Sequence, residues 1–461
     1  MSAPRWWSPL PSLAPVVVAA LLVIPSGAAG QTNERIYEDL DFRFVTPGAR
    51  AVGMGKTFIG LGDDATAAAS NPAGLSNLQE QEFSLEFIGT QIKHHRFIPS
   101  DTGLTQTFGD YVVTPSFLSY VVPLGRGTVS FFRQAAQNYR ESYGFDTRFV
   151  PSLNGYEDGS FGTISAQADN YGVSGALIVH PRLSIGGSFS YSTLNLASQG
   201  RSGAPQFRDG VLIRSNPQNG TDTIDSDSSW SWVTGALFKP TRSLSIGGTY
   251  HGRTTFNVET TFFGSFLRTR IPGDPDTRES VVRTGDVFTV DYVLPSRFAL
   301  GTSWRPWPSL TLAADWAHIN YSERVTDRFL IVDFHDPDAG LVVDEDTRVC
   351  KDPCNFYTPD VSEFHAGGEY RLYRPSFTLA FRAGAFSDPD HQLRFRSGGN
   401  NPTHPADRIL NFRFNTVKPE THYGFTAGAG IALANWFQVD GAASFSDDAT
   451  EVVISLVVRL R

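Results

Sequence analysis

The sequence is poor in cysteine, in charged residues and, after its first thirty residues, in long apolar runs. Of its 461 residues only two are cysteine and 18% are charged, and the formal net charge is −9. This acidic balance argues against nucleic acid as a partner, because phosphate backbones are bound by clustered basic residues. No run of about 18 or more apolar residues follows residue 30, so the sequence predicts no transmembrane helix.

The two cysteines, Cys350 and Cys354, lie in the segment CKDPC. We predict a local disulfide within one loop, as is common in exported proteins. The alternative, a metal site, would leave the ion under-coordinated by two sulfurs alone. The pair His94-His95 has no carboxylate nearby and is predicted to lie at a solvated loop edge. We therefore predict no metal site and no cofactor, and no Ser/His/Asp spacing indicates an enzyme.

The first thirty residues have the features of a secretory signal peptide. Arg5 precedes the apolar run Val16–Ile24, which Pro25 ends, and small residues follow up to Gly30. The run is too short to cross a bilayer, which argues against a membrane anchor. We predict that residues 1–30 are a signal peptide that is removed on export.

The stretch GARAVGMGKT, which begins at Gly48, ends like a phosphate-binding loop but lacks the required spacing. A Walker A loop needs a glycine at the position that Arg50 occupies here, so that backbone N–H groups converge on the phosphates. We predict instead that these glycines allow a compact, tightly turned segment. Lys56 and Thr57 are predicted to have no special role.

Beyond residue 80 the sequence is typical of strands. Apolar residues alternate with polar ones, and pairs of such runs are joined by Pro-containing tight turns. A soluble β-sandwich would show the same alternation, but its strands are shorter than these runs of about 10–15 residues. The tight turns alternate strictly with long polar loops, which is the pattern of an outer-membrane barrel. The tight turns lie near Gly125, Pro181, Pro240, Pro306, Pro375 and Asn435.

The runs between these connections number about fourteen, an even number as in single-chain bacterial barrels. A sheet in lipid must close on itself, because unpaired backbone groups would each cost several kcal/mol. The sequence therefore predicts an all-β fold, a 14-stranded antiparallel transmembrane β-barrel over residues 81–461. Residues 31–80 lack the alternation, and a barrel of this size leaves a lumen. We predict that they form a small, partly helical hatch that plugs it, with a short helix at residues 65–70.

The stretch GARAVGMGKTFIGLGDDATAAASNPAGLS resembles the N-terminal signature of the FadL-type outer-membrane transporters for long-chain fatty acids and hydrocarbons. Its core, the hatch motif, is Asn71, Pro72, Ala73 and Gly74. Later segments are also similar to the family, among them LPSRFALGTSWRPWPSLTLAADW from Leu294. The resemblance implies passive movement of hydrophobic small molecules through a rearrangement of the hatch and a lateral opening in the wall. It implies no particular ligand-binding residues.

Two alternatives to a hydrophobic transporter remain. Shuttle barrels of the type IX secretion system carry a similar N-terminal motif, although the segment from Leu294 favours the transporter. A general porin would place rings of charge in its lumen, whereas Ala313, Ala317, Ile319 and Tyr321 are predicted to face inward beside Thr311 and Asp315. The expected partners are a hydrophobic ligand, the lipid and lipopolysaccharide of the bacterial outer membrane, and the barrel-assembly machinery during biogenesis.

Overall fold

The computed structural model describes most of the chain after residue 41. The described residues are 37, 42–97, 105–108, 111–145, 148–150, 155–157, 160–208, 211–269, 278–326, 329, 354–396, 411, 414–415, 418–433 and 436–460. The predicted signal peptide and Cys350 lie outside them, whereas Cys354 is disulfide-bonded. Within the described ranges no helix has the length and apolarity needed to span a bilayer.

The described chain is dominated by antiparallel β-strands. They are β1 Gln81–Ile92, β2 His94–Phe97, β3 Thr105–Phe108, β4 Tyr111–Leu124, β5 Gly127–Phe145, β6 Arg148–Val150, β7 Gly155–Glu157, β8 Ser160–His180, β9 Leu183–Arg208, β10 Val211–Phe238, β11 Leu244–His251, β12 Thr254–Thr269, β13 Arg278–Leu294, β14 Arg297–Trp307, β15 Leu310–Ile319, β16 Phe356–Tyr357, β17 Val361–Tyr373, β18 Phe377–Pro389, β19 Arg394–Phe395, β20 Thr421–Leu433, β21 Phe437–Phe445 and β22 Ala449–Leu460.

Fourteen of these strands form a closed ring, which confirms the predicted barrel. Its order is β1-β4-β5-β8-β9-β10-β11-β14-β15-β17-β18-β20-β21-β22, and β22 pairs with β1. Strand β12 follows β11 closely along the chain, β13 closely precedes β14, and β12 and β13 pair with each other. The short pairs β2–β3, β6–β7 and β16–β19 lie in the long connections.

Alternate residues of each wall strand face opposite sides. In β15, Thr311, Ala313 and Asp315 are buried, whereas Leu312 between them is 39% exposed. The large exposed side chains of the wall are mostly apolar or aromatic, as expected of a surface that contacts lipid. The short connections between wall strands fall where the sequence predicts them; at the β4–β5 turn Gly125 has a φ of +69°, which favours glycine.

Residues 42–80, hereafter the lumenal segment, lie inside the ring. They form two short helices, Ala49–Gly53 and Ala67–Ser70, followed by the 3₁₀-helix Pro72–Asn77. The second helix begins two residues later than predicted, because Thr66 donates its N–H and its hydroxyl to the Asp64 carboxylate and forms a turn there.

The lumenal segment packs closely against the wall because wall glycines present bare backbone to it. A Cβ on Gly384 would overlap the backbone of Gly55, and a Cβ on Gly301 would lie 2.7 Å from the N atom of Gly60. Within the segment Gly62 and Gly74 are in the same relation. The glycines of the GARAVGMGKT stretch and of the wall thus serve close packing of one backbone on another.

Replacing Gly384 with alanine should destabilise the protein by about 1–3 kcal/mol, because the new methyl group overpacks the contact between wall and lumenal segment. The measurement is the midpoint of urea unfolding in detergent. The control is Gly441→Ala, since no atom lies within 4 Å of a Cβ built there. Equal effects of the two substitutions would refute the close-packing account.

Candidate functional site

A cavity of about 120 Å³, hereafter the upper cavity, lies between the lumenal segment and strands β11, β14, β15, β17 and β18. Phe42, Phe44, Phe58 and Ile59 of the lumenal segment contribute apolar surface. Ala317, Ile319 and Tyr321, which the sequence predicts to face inward, line it from the wall side, as does Asp315. The cavity therefore combines an apolar lining with a few charged groups.

Aromatic rings continue upward from this cavity toward the long-loop side. Phe42 meets Phe44 edge-on at a centroid distance of 5.1 Å and Tyr321 at 5.8 Å. Tyr321 in turn stacks on His391 at 4.3 Å. Phe42 and Tyr321 belong to a buried cluster that includes Phe256, Phe356, Phe395 and Phe414, and Phe44 packs against it. An apolar molecule would find a largely hydrophobic path here.

Several charged groups around the upper cavity are already matched by partners. Lys56 Nζ lies 2.8 Å from Glu451 Oε2, and Arg43 lies 3.1 Å from Asp448 and 3.4 Å from Asp388. Asp315 Oδ2 accepts the backbone N–H groups of Phe58 and Ile59. The expectation that Lys56 has no special role is therefore wrong, because its ion pair fastens the lumenal segment to β22.

Arg297 differs from these groups. Its guanidinium lies 4.5 Å from the centre of the Phe44 ring and donates to His251 Nδ1 at 3.3 Å, while His251 Nε2 faces the carbonyl of Ser70. Among the described residues no carboxylate lies within ion-pairing distance of Arg297. Glu363 lines the same cavity and interacts with Arg297 only from beyond that distance. A guanidinium without a direct ion-pair partner is costly in so apolar a place, so an anion bound beside it would complete the site.

A second cation, Arg324, lies on the far side of Phe42. It is 1% exposed, and its guanidinium carbon lies 4.1 Å from the centre of the Tyr37 ring and 4.9 Å from that of Phe42. Its Nε and one terminal nitrogen have no hydrogen-bond partner. Burying these unbonded donors costs free energy. Each cation–π contact offsets part of that cost, because such a contact contributes up to about 2 kcal/mol when it is desolvated. Two arginines thus flank the aromatic rings.

On the opposite side, the lumenal segment is fixed to the wall by buried ion pairs. Glu369 of β17 accepts hydrogen bonds from Arg50 at 2.9 and 3.0 Å, from Arg371 at 2.7 Å and from Arg382 at 2.8 Å. Arg382 also donates to Asp440 at 2.7 Å. Removing one partner from a buried pair leaves an uncompensated charge, so Glu369 is central to this attachment.

These arginines line a second cavity of about 260 Å³ near the short turns, which also contacts Asp63 and Asp64. Burial alone would raise the pKa of Asp63, but the positive charges of Arg50, Arg305 and Arg371 hold it below its usual value. Asp63 is therefore ionised at neutral pH. This charged cavity contrasts with the aromatic surroundings of the upper one.

The wall is interrupted between β4 and β5. Their ladder stops at Phe117 and Gln134, and in the described structure residues 111–115 pair with β1 but not with β5. Residues 134–137 are all buried rather than alternating, and the carbonyl of Ala136 accepts the N–H of Val45 at 3.1 Å. Strand β5 thus bends toward the lumenal segment and leaves a gap beside β4, hereafter the β4–β5 gap.

Comparison with known families identifies the chain. Residues 45–391 match the model of the family described as outer membrane protein transport protein (OMPP1/FadL/TodX). The chain belongs to this family. An outer-membrane location and a transport role through the barrel, both predicted from the sequence, are thereby confirmed, and members of the family are transport channels rather than enzymes.

Solved structures of the FadL/TodX type share the fold at low sequence identity. A Pseudomonas aeruginosa FadL homologue has a TM-score of 0.60 at 14% identity and covers 90% of this chain and 99% of its own. The Pseudomonas putida toluene transporter TodX gives 0.57 at 15%, with 91% and 100% covered. The Ralstonia pickettii toluene transporter TbuX gives 0.55 at 16%, with 90% and 98% covered. No curated protein sequence matches the chain.

The motif that carries the FadL resemblance does not line the upper cavity. Asn71 is fully buried and donates its amide to the carbonyls of Ile59 at 2.8 Å and Ala236 at 3.3 Å. Pro72 begins the 3₁₀-helix, Ala73 lies against Gly186, and Gly74 packs on Gly62. These contacts join the lumenal segment to β9 and β10. The structure therefore gives the motif a packing role beside the wall.

Sequence reasoning assigned no ligand-binding residues and did not identify Arg297, Arg324 or Glu369. Nothing in the alternation marks Arg297, which stands at the first position of β14, just after a Pro-Ser break. The β4–β5 gap had a signal: the segment QAAQ at residues 134–137 breaks the period of two. Among the described residues no group of three or more His, Cys, Asp and Glu is arranged to hold a metal, and the side chains of His94 and His95 lie outside that description.

Proposed function

We propose that the protein carries hydrophobic small molecules passively across the outer membrane, and that its upper cavity binds cargo with an acidic head group. The observation that carries this proposal is the unpaired guanidinium of Arg297 beside aromatic rings. The names of TodX and TbuX as toluene transporters support hydrophobic cargo in the family. An organic carboxylate would pair with Arg297 while its tail lies against Phe42, Phe44 and Tyr321.

Hydrophobic burial suffices to drive binding. Each methylene removed from water contributes about 0.8 kcal/mol, so a chain of modest length binds without an energy source. The charge-assisted pair with Arg297 would add orientation, because a carboxylate accepts two parallel N–H bonds from a guanidinium. We propose no chemical change to the cargo.

We further propose that residues 31–80 act as a hatch and that the β4–β5 gap is the lateral outlet. The hydrogen bond between Val45 and Ala136 supports this, because moving the lumenal segment would break the contact that holds β5 inward. Contacts with lipopolysaccharide and with the barrel-assembly machinery remain predictions.

Arg297→Gln should weaken the binding of dodecanoate by about 10- to 100-fold while leaving dodecanol binding within about 2-fold, because only the acid loses a charge-assisted bond worth about 1.5–3 kcal/mol. Binding is measured by displacement of a fluorescent fatty acid from purified protein in detergent at pH 8, where the acid is ionised.

Arg43→Gln is the matched control, since Arg43 lines the same cavity but is already paired with Asp448. It should affect acid and alcohol alike. Arg297→Lys should recover part of the preference for the acid. If Arg297→Gln weakened acid and alcohol equally, the acidic-head-group proposal would be rejected, although hydrophobic transport would stand.

A further inference from the structure

The wall has a second interruption, between β10 and the segment β11–β12. Strand β10 pairs with β11 as far as Val233 and His251, and it pairs with β12 again only from Asp222 and Thr261 onward. Between these points the described backbones of residues 223–232 and 254–260 form no ladder with each other, although each remains paired on its other side with β9 or β13. We call this interval the β10–β12 seam.

Side chains hold the seam together where a barrel normally uses its backbone. Asp227 Oδ2 accepts the N–H of Asn257 at 2.6 Å, and Asp225 Oδ2 accepts the N–H of Glu259 at 2.6 Å. Each carboxylate accepts a backbone N–H that a carbonyl of the neighbouring strand would accept in a regular ladder. The two backbones are therefore farther apart here, by about the length of an aspartate side chain. The hydroxyls of Thr223 and Thr260 also meet across the seam at 2.9 Å. The seam can separate when these side-chain contacts are exchanged for water, without the loss of a continuous ladder.

The seam lies in the part of the wall that faces lipid. Ile224, Trp230 and Trp232 point outward and are 66%, 58% and 43% exposed. Trp232 stands seven residues above Lys239 at the short turn, or about 17 Å along the membrane normal for strands tilted by about 40°. By the same conversion Asp227 and Asp225, twelve and fourteen residues above Lys239, lie about 29 and 34 Å above the turn, at the outer edge of the apolar band of the wall. Only the lower end of the seam, beside Trp232, therefore lies in the outer leaflet.

That position makes an interrupted ladder costly unless it has a use. Unsatisfied backbone groups in lipid each cost several kcal/mol, which applies to the lower end of the seam beside Trp232. The carboxylates of Asp225 and Asp227 close the part of the seam at the outer edge of the membrane.

On its inner side the seam meets a cavity that leads back to the upper cavity. This space of about 50 Å³ is lined by Ser231, Trp232, Gly252 and Thr254 of the seam region, and it shares Phe44, His251 and Arg297 with the upper cavity. The Trp232 ring packs on Gly252 so closely that a Cβ there would overlap it. Trp232 therefore closes the lower end of the seam, and the adjoining cavity gives cargo at Arg297 a short way to it.

We propose that the β10–β12 seam is a second lateral exit, through which hydrophobic cargo leaves the upper cavity for the outer leaflet. The inference rests on the proposed function and adds a route to it. The two exits are closed differently: the β4–β5 gap by a bond to the lumenal segment, and the seam by its own aspartates.

The test locks the seam with the pair Asp227→Cys and Asn257→Cys in the full-length protein in lipid nanodiscs. A pyrene-labelled dodecanol is preloaded, and its transfer to lipid is followed by stopped-flow fluorescence with a lipid-borne quencher. Oxidation should slow transfer at least about 5-fold, and reduction should restore it. The control pair, Thr193→Cys and Ser228→Cys, crosses the continuous ladder between β9 and β10 beside the seam and does not line the adjoining cavity, so it should leave the rate unchanged. A comparison pair, Thr114→Cys and Gln137→Cys, locks the β4–β5 gap.

A second variant acts in the opposite direction and does not depend on forming a disulfide. Asp225→Ala with Asp227→Ala removes both acceptors and should speed transfer several-fold, with barrel folding checked by heat-modifiable gel mobility. Unchanged transfer in the oxidised pair or in this folded double variant overturns the second exit. If the parent protein itself did not bind the probe, the proposed function would fail instead, so the two failures are distinct.

Discussion

Deleting residues 31–80 should convert the barrel into an open pore, with ion currents in planar bilayers roughly ten-fold or more above those of the intact protein. The reason is geometric: a fourteen-stranded barrel encloses more space than its wall side chains fill, and the lumenal segment occupies that space. Met54, Gly55 and Gly60 lie against the wall strands, and Ala73 does so on the other side. Without them the wall glycines would line a continuous aqueous path.

The control for this deletion removes residues 94–108, which contain the β2–β3 hairpin of a long connection. That variant should remain as silent as the parent. Both variants must first show a folded barrel by heat-modifiable mobility. A folded deletion variant that conducts no better than the parent would show that the lumenal segment is not what closes the barrel.

Glu369→Gln should lower the free energy of unfolding by about 3–5 kcal/mol, the usual cost of leaving a buried charge without its partner. Arg50, Arg371 and Arg382 all donate to this carboxylate, which is 0% exposed. A neutral glutamine amide of the same shape cannot balance the positive charges of these three arginines. The measurement is urea unfolding in detergent, together with bilayer currents, because weakening this attachment should also produce brief channel openings.

Glu420→Gln provides the matched control, since Glu420 is exposed just before β20. The same chemical change there should alter the unfolding free energy by less than about 0.5 kcal/mol. A small effect at Glu369, comparable with that at Glu420, would mean that the arginines find other partners and that Glu369 does not anchor the lumenal segment.

The architecture could be predicted because lipid and lumen impose opposite demands on neighbouring residues. In a wall with two different faces, the alternation of Thr311, Leu312 and Ala313 determines which side chains face the lumen and which face lipid. Prolines and glycines mark the turns between strands. The strand count followed from these turns. The β10–β12 seam did not follow, because alternation along β10 continues through Asp225 and Asp227 and reveals nothing about the strand beside it. The β4–β5 gap was marked only by the break in alternation at residues 134–137.

The site could not be predicted because its contacts join distant parts of the chain. Arg50 and Glu369 are separated by 319 positions. That Arg297 has no direct ion-pair partner in the described part of the chain is visible only when the neighbouring carboxylates have been located. Lys56 shows the same limit: its partner Glu451 comes from a strand at the other end of the chain. Local pattern indicates which face a residue occupies, and only the fold determines its partner.

The two flanks of the lumenal segment are attached by bonds of different strength. Near Arg50 the attachment consists of buried ion pairs. Beside β9 and β10 the buried bonds are neutral, such as Ser76 to Ser184 at 2.8 Å and Asn71 to Ala236 at 3.3 Å, and among the described residues the one charged donor, Lys239 to Asn77 Oδ1, is exposed. Neutral bonds each contribute about 0.5–1.5 kcal/mol, and breaking a buried ion pair costs about 3–5 kcal/mol. Thermal motion would therefore free the serine-rich flank first, and the segment would swing about its arginine-rich flank instead of leaving the barrel. A crescent-shaped passage would then form along β9 and β10.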